Sequence, residues 1–265
     1  MLTFGSLFAG IGGFDLGFER AGFECKWQVE IDDYATRILE KHWPNVHRER
    51  DILQCGRHNL EPVDCIIGGF PCQDISYAGN GAGLDGARSG LFFEAVRLVR
   101  ELRPRAVVLE NVAGLLARGL DRVLGTLAEV GYDAEWHCIP AAAVGAPHIR
   151  DRVFVVADAE RDGILKKSNE FKNESRFTTS RRTDVTGCCL ASGIRGSTYA
   201  GWWSVEPNMG RVAHGIPFRV DRLRCLGNAI VPQVAEVVAR MAMDRLTGVR
   251  MSKPTGERHR TVQND

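Results

Sequence analysis

The stretch Val63-Asp64-Cys65-Ile66-Ile67-Gly68-Gly69-Phe70-Pro71-Cys72-Gln73 decides the fold. Its apolar residues, Val63, Cys65, Ile66 and Ile67, read as a buried strand, and Pro71 fixes the turn that leaves Cys72 at the strand's carboxyl end. In an open parallel sheet that edge is where ligands bind. Residues 74–90 follow, rich in Gly and Ala, with too little apolar content for a core and enough glycine to move. A nucleophile beside a mobile lid is one reading. A buried cysteine ahead of a surface loop fits the same residues, since cysteine is among the most buried residue types.

Upstream, residues 3–8 alternate towards a first strand, and Phe8-Ala9-Gly10-Ile11-Gly12-Gly13 turns the chain into a helix with Phe14, Gly17, Phe18 and Ala21 at helical spacing. Strand, glycine loop, helix is a unit that lets a ligand approach the backbone, because glycine has no Cβ. The loop is not GxGxxG and lacks the Lys-Ser/Thr of a phosphate-binding loop, which disfavours a nucleoside triphosphate. A second apolar run, residues 25–29, ends at Glu30, about twenty residues after the loop. In doubly wound folds an acid there accepts hydrogen bonds from a ribose. Asp33 is predicted to cap a helix reaching His42, with Pro44-Asn45 closing it. Residues 45–50 are extended and lead to Asp51-Ile52, where a third strand ends; a surface acid is the alternative for Asp51.

Downstream of Cys72, residues 91–102 place Phe92, Ala95, Val96 and Val99 on one helical face, and Pro104 ends that helix. Ala106-Val107-Val108-Leu109 is a buried strand running into Glu110-Asn111-Val112. An acid at such a mouth has its pKa raised by burial, which suits it to hold a proton; capping the segment 119–130 is the alternative. Residues 132–139 and 153–157 form a predicted hairpin at the sheet edge, joined by a link ending His148-Ile149-Arg150-Asp151-Arg152. On an extended strand the two arginines point to one side, either to clamp a planar polar group or as a solvated edge.

The chain changes character after residue 158. Residues 159–204 are poor in branched apolar side chains, Trp202-Trp203 leads to Arg211, Arg219, Arg222 and Arg224, and Leu226-Gly227-Asn228-Ala229-Ile230-Val231-Pro232 precedes a helix over 233–246. Residues 1–158 hold 16 Lys/Arg against 22 Asp/Glu, whereas 159–265 hold 18 against 11. The second part is therefore the one suited to a polyanion, although a solvated basic face has the same composition. The tail, 251–265, is charged and aperiodic and is expected to fray. With 44% hydrophobic and 25% charged residues the chain has a soluble globular composition, and it shows neither a membrane-length apolar run nor a basic signal-peptide start. The eight cysteines contain no CxxC pair, so reduced thiols are expected rather than a disulfide framework or a metal site. The expected location is the cytoplasm.

Taken in order, the loop 8–13, Pro71-Cys72-Gln73, Glu110-Asn111-Val112, Arg150-x-Arg152 and Gly227-Asn228-Ala229 resemble the DNA (cytosine-5) methyltransferase family from residue 3 to about 246. The fold this implies is α/β: a Rossmann-like, seven-stranded S-adenosylmethionine-dependent methyltransferase sheet with helices on both faces, plus a small irregular target-recognition region. The implied domains are a catalytic and cofactor-binding part at 1–158, recognition at 159–224, a returning segment at 225–250, and the tail. The resemblance implies that Phe8, Ala9, Gly10, Ile11, Gly12 and Gly13 approach the methionine part of S-adenosyl-L-methionine, the product being S-adenosyl-L-homocysteine, with no metal. It implies that Glu30 holds the ribose and that Asp51 and Ile52 read the adenine, with Pro71, Leu91, Asn228 and Ala229 completing the site. Cys72 is then the nucleophile that adds to cytosine C6, Glu110 the acid at N3, and Arg150 and Arg152 the pair that holds O2.

The implied partner is double-stranded DNA, entered by flipping the base, with residues 74–90 as the closing loop. Ser76 and Arg88 are candidate DNA contacts there, and Lys166, Lys167, Arg181, Arg182 and Arg211 in the basic part. Residues 157–227 depart from the family pattern, being short for a recognition region. A compact monomer of a phage or restriction-modification system, in a bacterial host, is the expectation. The rivals are the same chemistry on tRNA, which substrate comparison separates, and a catalytically silent DNA-binding relative, which the intact Cys72, Glu110 and arginine pair disfavour.

Overall fold

A computed structural model describes residues 1–71, 90–159 and 218–248. In chain order the elements are β1 (Thr3–Leu7), α1 (Gly13–Arg20), β2 (Glu24–Val29), α2 (Asp33–His42), β3 (His47–Glu49), β4 (Cys65–Gly69), α3 (Gly90–Leu102) and β5 (Ala106–Val112). They are followed by α4 (Leu115–Arg118), α5 (Leu120–Glu129), β6 (Tyr132–Pro140), β7 (Asp151–Ala159), α6 (Arg219–Asn228) and α7 (Pro232–Thr247). The strands form one seven-stranded sheet in the order β3-β2-β1-β4-β5-β7-β6. β1 to β5 pair in parallel, while β7 runs antiparallel to both β5 and β6. This is the α/β sheet expected from the sequence, and its hairpin is the predicted β6–β7 pair, with β7 rather than β6 joining β5.

The period-2 alternation of the central strands builds two cores. Ile66, Val107, Leu109, Val153 and Val155 face one side of the sheet with α3 and α5, where Phe92, Val96, Val99, Val123 and Leu127 are buried. Cys65, Ile67, Val108, Phe154 and Val156 face the other with α1 and α7, contributed by Phe14, Phe18, Val234, Val238 and Ala242. Each fully buried Phe or Leu stabilises the fold by about 1.5–3 kcal/mol relative to exposure. α1 can lie close along α7 because residue 17 is glycine: a Cβ there would stand 2.3 Å from the Ala235 Cβ.

The predicted cap of α2 is one residue out. The side chain of Asp32, not Asp33, accepts from Ala35 N at 2.9 Å. Asp32 has the extended backbone an N-cap needs, whereas Asp33 already lies in the helix and pairs with Arg50. β5 also runs further than the apolar residues alone suggest, so Glu110 and Asn111 are strand residues paired with Phe154 and Val153 of β7.

Beneath the first loop lies a buried polar group. Asp15 accepts from Ser6 Oγ at 3.0 Å and Gln28 Nε2 at 2.7 Å, and Gln28 Oε1 in turn accepts from Arg48 at 2.8 and 3.1 Å. With only neutral donors in direct contact, burial pushes the Asp15 carboxyl up to about 6. An acid whose folded pKa lies above its unfolded value contributes stability below the unfolded value and loses it as pH rises through the folded one. Asp15→Asn, which can keep both hydrogen bonds, is therefore expected to stabilise the fold by about 1–3 kcal/mol at pH 8 and by little near pH 4. Thermal melts at the two pH values check this, and equal melting shifts at both would remove the assignment.

Candidate active site

The carboxyl ends of β1, β2, β4 and β5 open into one cleft of about 430 Å³. That is a volume typical of small-molecule sites, which span about 300–1,000 Å³. Its floor is Leu7, Gly69, Phe70 and Asn111; one wall is the corner from Glu30 to Asp32, and the other is the chain from Arg224 to Ile230.

The glycine loop forms the first rim. Phe8 leaves β1 at φ 54, and Gly10 follows at φ 56, a left-handed backbone that favours glycine. A Cβ on Gly10 would meet no protein atom within 4 Å. Since Gly10 lines the cleft, the loop leaves open space for a ligand against the backbone. Glu30, only 8% exposed, fastens this loop: Oε2 accepts from Gly10 N at 2.7 Å and Oε1 from Asp32 N at 2.8 Å. The same carboxylate keeps lone pairs to accept ligand hydroxyls. Asp51 caps the short 3₁₀ turn Ile52–Gln54 by accepting from Leu53 N at 3.0 Å, and Arg97 of α3 holds that turn through the Ile52 and Cys55 carbonyls, each at 3.0 Å.

The second rim carries an acid and a guanidinium. Glu110 Oε1 pairs with Arg152 Nε at 2.9 Å. Burial raises the Glu110 carboxyl to about 7 against the opposing pull of Arg152 and Arg150. Gly69 is the strand partner of Glu110, and a Cβ there would stand 2.8 Å from Glu110 Oε2, so a larger residue would displace the carboxylate from its present position. Beside them Asn111 Nδ2 donates to the Phe70 carbonyl at 3.2 Å and fixes the end of β4 just before Pro71.

Of the residues singled out in the sequence, the cleft brings together Phe8, Ala9, Gly10, Gly13, Glu30, Asp51, Ile52, Pro71, Leu91, Glu110, Arg152, Asn228 and Ala229. Ile11 and Gly12 face away, into a separate cavity behind the loop that Arg150 also lines. Arg150 departs from the expected strand geometry. It precedes β7 at φ 41, so it does not share a strand face with Arg152. Its Nη2 donates to the carbonyls of Gly227 at 2.7 Å and Ala229 at 2.6 Å, although its charge still acts on Glu110. The spacing rule holds only within a strand, and this strand starts at Asp151. Cys72, Ser76, Arg88, Lys166, Lys167, Arg181, Arg182, Arg211, Trp202 and Trp203 lie outside the described residues.

Asn111, Asp32 and Arg224 were given no role in the site by the sequence reading. Asn111 stands beside a chosen acid and Asp32 two residues after another, so adjacency was a usable signal; Arg224 becomes visible only when α6 is placed against α2. Among the described residues there is no cluster of His, Cys, Asp or Glu that could hold a metal ion, and no helix is long and apolar enough to cross a membrane.

The C-5 cytosine-specific DNA methylase family matches residues 2–188, and the chain belongs to that family. It is 35% identical over 159 residues to the Type II methyltransferase M.HhaI of Haemophilus parahaemolyticus, covering 58% of this chain and 48% of the relative. It is 33% identical over 165 residues to the Type II methyltransferase M.DsaV of Dactylococcopsis salina, covering 61% and 47%. The chain thus spans about half the length of these curated relatives. Among solved structures it resembles the S. pombe Dnmt2 methyltransferase, with a TM-score of 0.52 at 18% identity over 65% of this chain and 59% of that one. The likeness extends to Spodoptera frugiperda DNMT2, with a TM-score of 0.51 at 21% identity over 64% and 54%. The fold is that of a Rossmann-like methyltransferase.

Proposed function

We propose that this protein transfers a methyl group from S-adenosyl-L-methionine to C5 of cytosine in double-stranded DNA, at a short specific sequence. The observation that carries the reading is the cleft in which the Glu30 corner and the Glu110–Arg152 pair face one another across the end of β4, three residues before Cys72.

The residues present fit the cofactor. The open face at Gly10 would receive its methionine part, Glu30 has acceptor capacity for ribose hydroxyls, and Asp51 with Ile52, which line the same cleft, would contact the adenine. When bound, the cofactor supplies an electrophilic methyl group. Cytosine C5 is too weak a nucleophile to take it unaided. Cys72 as thiolate forms a bond to C6, and electron density moves through the ring to N3, where Glu110 donates a proton. Glu110 is suited to this because burial holds its carboxyl near neutrality. The C4=C5 enamine so formed would take the methyl group at C5 as S-adenosyl-L-homocysteine leaves; Glu110 recovers the N3 proton, a base removes the C5 proton, and the C5=C6 double bond re-forms as the Cys72 thiolate is eliminated. Arg152, pinned by Glu110, is placed to hold the base's O2. Because a stacked cytosine cannot reach such a cleft, the base is flipped out of the duplex. Sequence reading falls to residues 166–224, whose basic side chains suit phosphate contacts and major-groove edges.

Bisulfite sequencing of DNA from cells expressing the chain tests activity, base and target together, with methyl incorporation into tRNA as the competing substrate. Methylation of tRNA alone would overturn the DNA assignment. Glu30→Ala is expected to weaken S-adenosyl-L-homocysteine by about 1–3 kcal/mol, the cost of losing hydrogen bonds to a charged acceptor. Calorimetry reads this directly, and an unchanged affinity would move the ribose site elsewhere.

A further inference from the structure

α6 is a helix with no buried side chain among its described residues: Val220, Leu223 and Leu226 are all exposed, at 78, 49 and 64%. A helix of this length is marginal in water unless tertiary contacts hold it. The contacts that hold this one are ties between side chains and to its backbone. Arg224 pairs with Asp32 at the cap of α2 and, at 3.2 Å, with Asp221 of its own turn. Phe218 lies 5.9 Å from the Tyr34 ring, and the Arg37 guanidinium sits 5.4 Å above Phe218. At the helix's C-terminal end, Arg150 grips the carbonyls of Gly227 in its last turn and of Ala229 just past it.

Of these ties, the Arg224–Asp32 pair is the one whose two residues both line the cleft, one from each wall. Asp32 is not an isolated surface acid. Its backbone N–H donates to Glu30 Oε1, and its side chain caps α2. A contact at Asp32 therefore bears on the carboxylate that fastens the glycine loop. We propose that Arg224 is a latch: its ion pair with Asp32 holds α6 across the mouth of the cleft and sets the rate at which cofactor and product exchange. Arg224 acts here as a positioning residue, through Asp32, and the proposal rests on the cofactor reading of the cleft given above.

The test measures hydrogen exchange of the α6 amides in the free protein and the dissociation rate of S-adenosyl-L-homocysteine by stopped flow. The variants are Arg224→Ala, Asp32→Asn, their double and Arg224→Glu. Asparagine keeps the cap, since it is as good an N-cap residue as aspartate. Both single variants are expected to exchange and release about two- to fivefold faster, the size set by a partly exposed pair. The double should be no faster than either single, and Arg224→Glu, facing Asp32 with a like charge, faster still. The melting temperature should not move, because α6 buries no core; a purely structural residue would lower it and leave release alone. Wild-type exchange and release in Arg224→Ala would overturn the latch. A loosened α6 in a protein whose wild type binds no S-adenosyl-L-homocysteine would overturn its role in exchange and refute the cofactor reading, while leaving the tie itself in place.

Discussion

Cys72→Ser is expected to abolish methyl transfer to cytosine while leaving S-adenosyl-L-homocysteine affinity nearly unchanged. The two halves of that result test different links. A serine hydroxyl is not ionised at neutral pH, so it cannot add to C6, and without that addition C5 is not nucleophilic enough to take a methyl group. In the proposed reading, cofactor binding rests on Glu30, Asp51 and the glycine loop rather than on Cys72. Duplex DNA carrying 5-fluorocytosine sharpens the measurement: fluorine at C5 blocks the final proton removal, so wild type should form a covalent adduct that Cys72→Ser does not. Wild-type turnover in Cys72→Ala would sink the mechanism.

Glu110→Gln is expected to lower kcat by about 10²–10⁴-fold, the range for removing a positioned general acid. Glutamine fits the space beside Gly69 and can still accept from Arg152, so loss of turnover would report the missing proton rather than a collapsed cleft. The pH profile gives the sign. The carboxyl must be protonated to act, and burial places its pKa at about 7, so wild-type kcat should fall as pH rises through that value. The variant should lose this limb. A wild-type rate that is level from pH 6 to 9 would remove Glu110 from the proton transfer.

Much of the frame was legible because apolar runs report strands whatever surrounds them. The apolar runs 65–67 and 106–109 lie in β4 and β5, Glu30 follows the last residue of β2, and Glu110 sits near the end of β5. What escaped depended on contacts between distant parts of the chain. The left-handed backbone at Arg150 has no signature in a residue type that seldom adopts it, so spacing assigned it to the face of Arg152. The cap at Asp32 rather than Asp33 turned on which of two adjacent acids keeps an extended backbone. The pairing of Arg224 with Asp32 spans 192 residues and no local pattern announces it.

The reversed direction of β7 has a consequence for how such a protein can change over evolutionary time. Because β7 runs against its neighbours, its first residues, Asp151 and Arg152, lie at the cleft edge of the sheet, and its last, Asp158 and Ala159, stand beside Ala106 and Arg105 at the opposite edge. Nine extended residues separate the two ends by ~26 Å. The chain therefore brings the Arg152 guanidinium to the cleft edge first and reaches Ala159 at the far edge. Sequence spliced in after Ala159 would begin at that remote edge, away from Glu110 and Arg152. One strand laid backwards thus sets the Arg152 guanidinium and the attachment point of the following chain at opposite edges of the sheet.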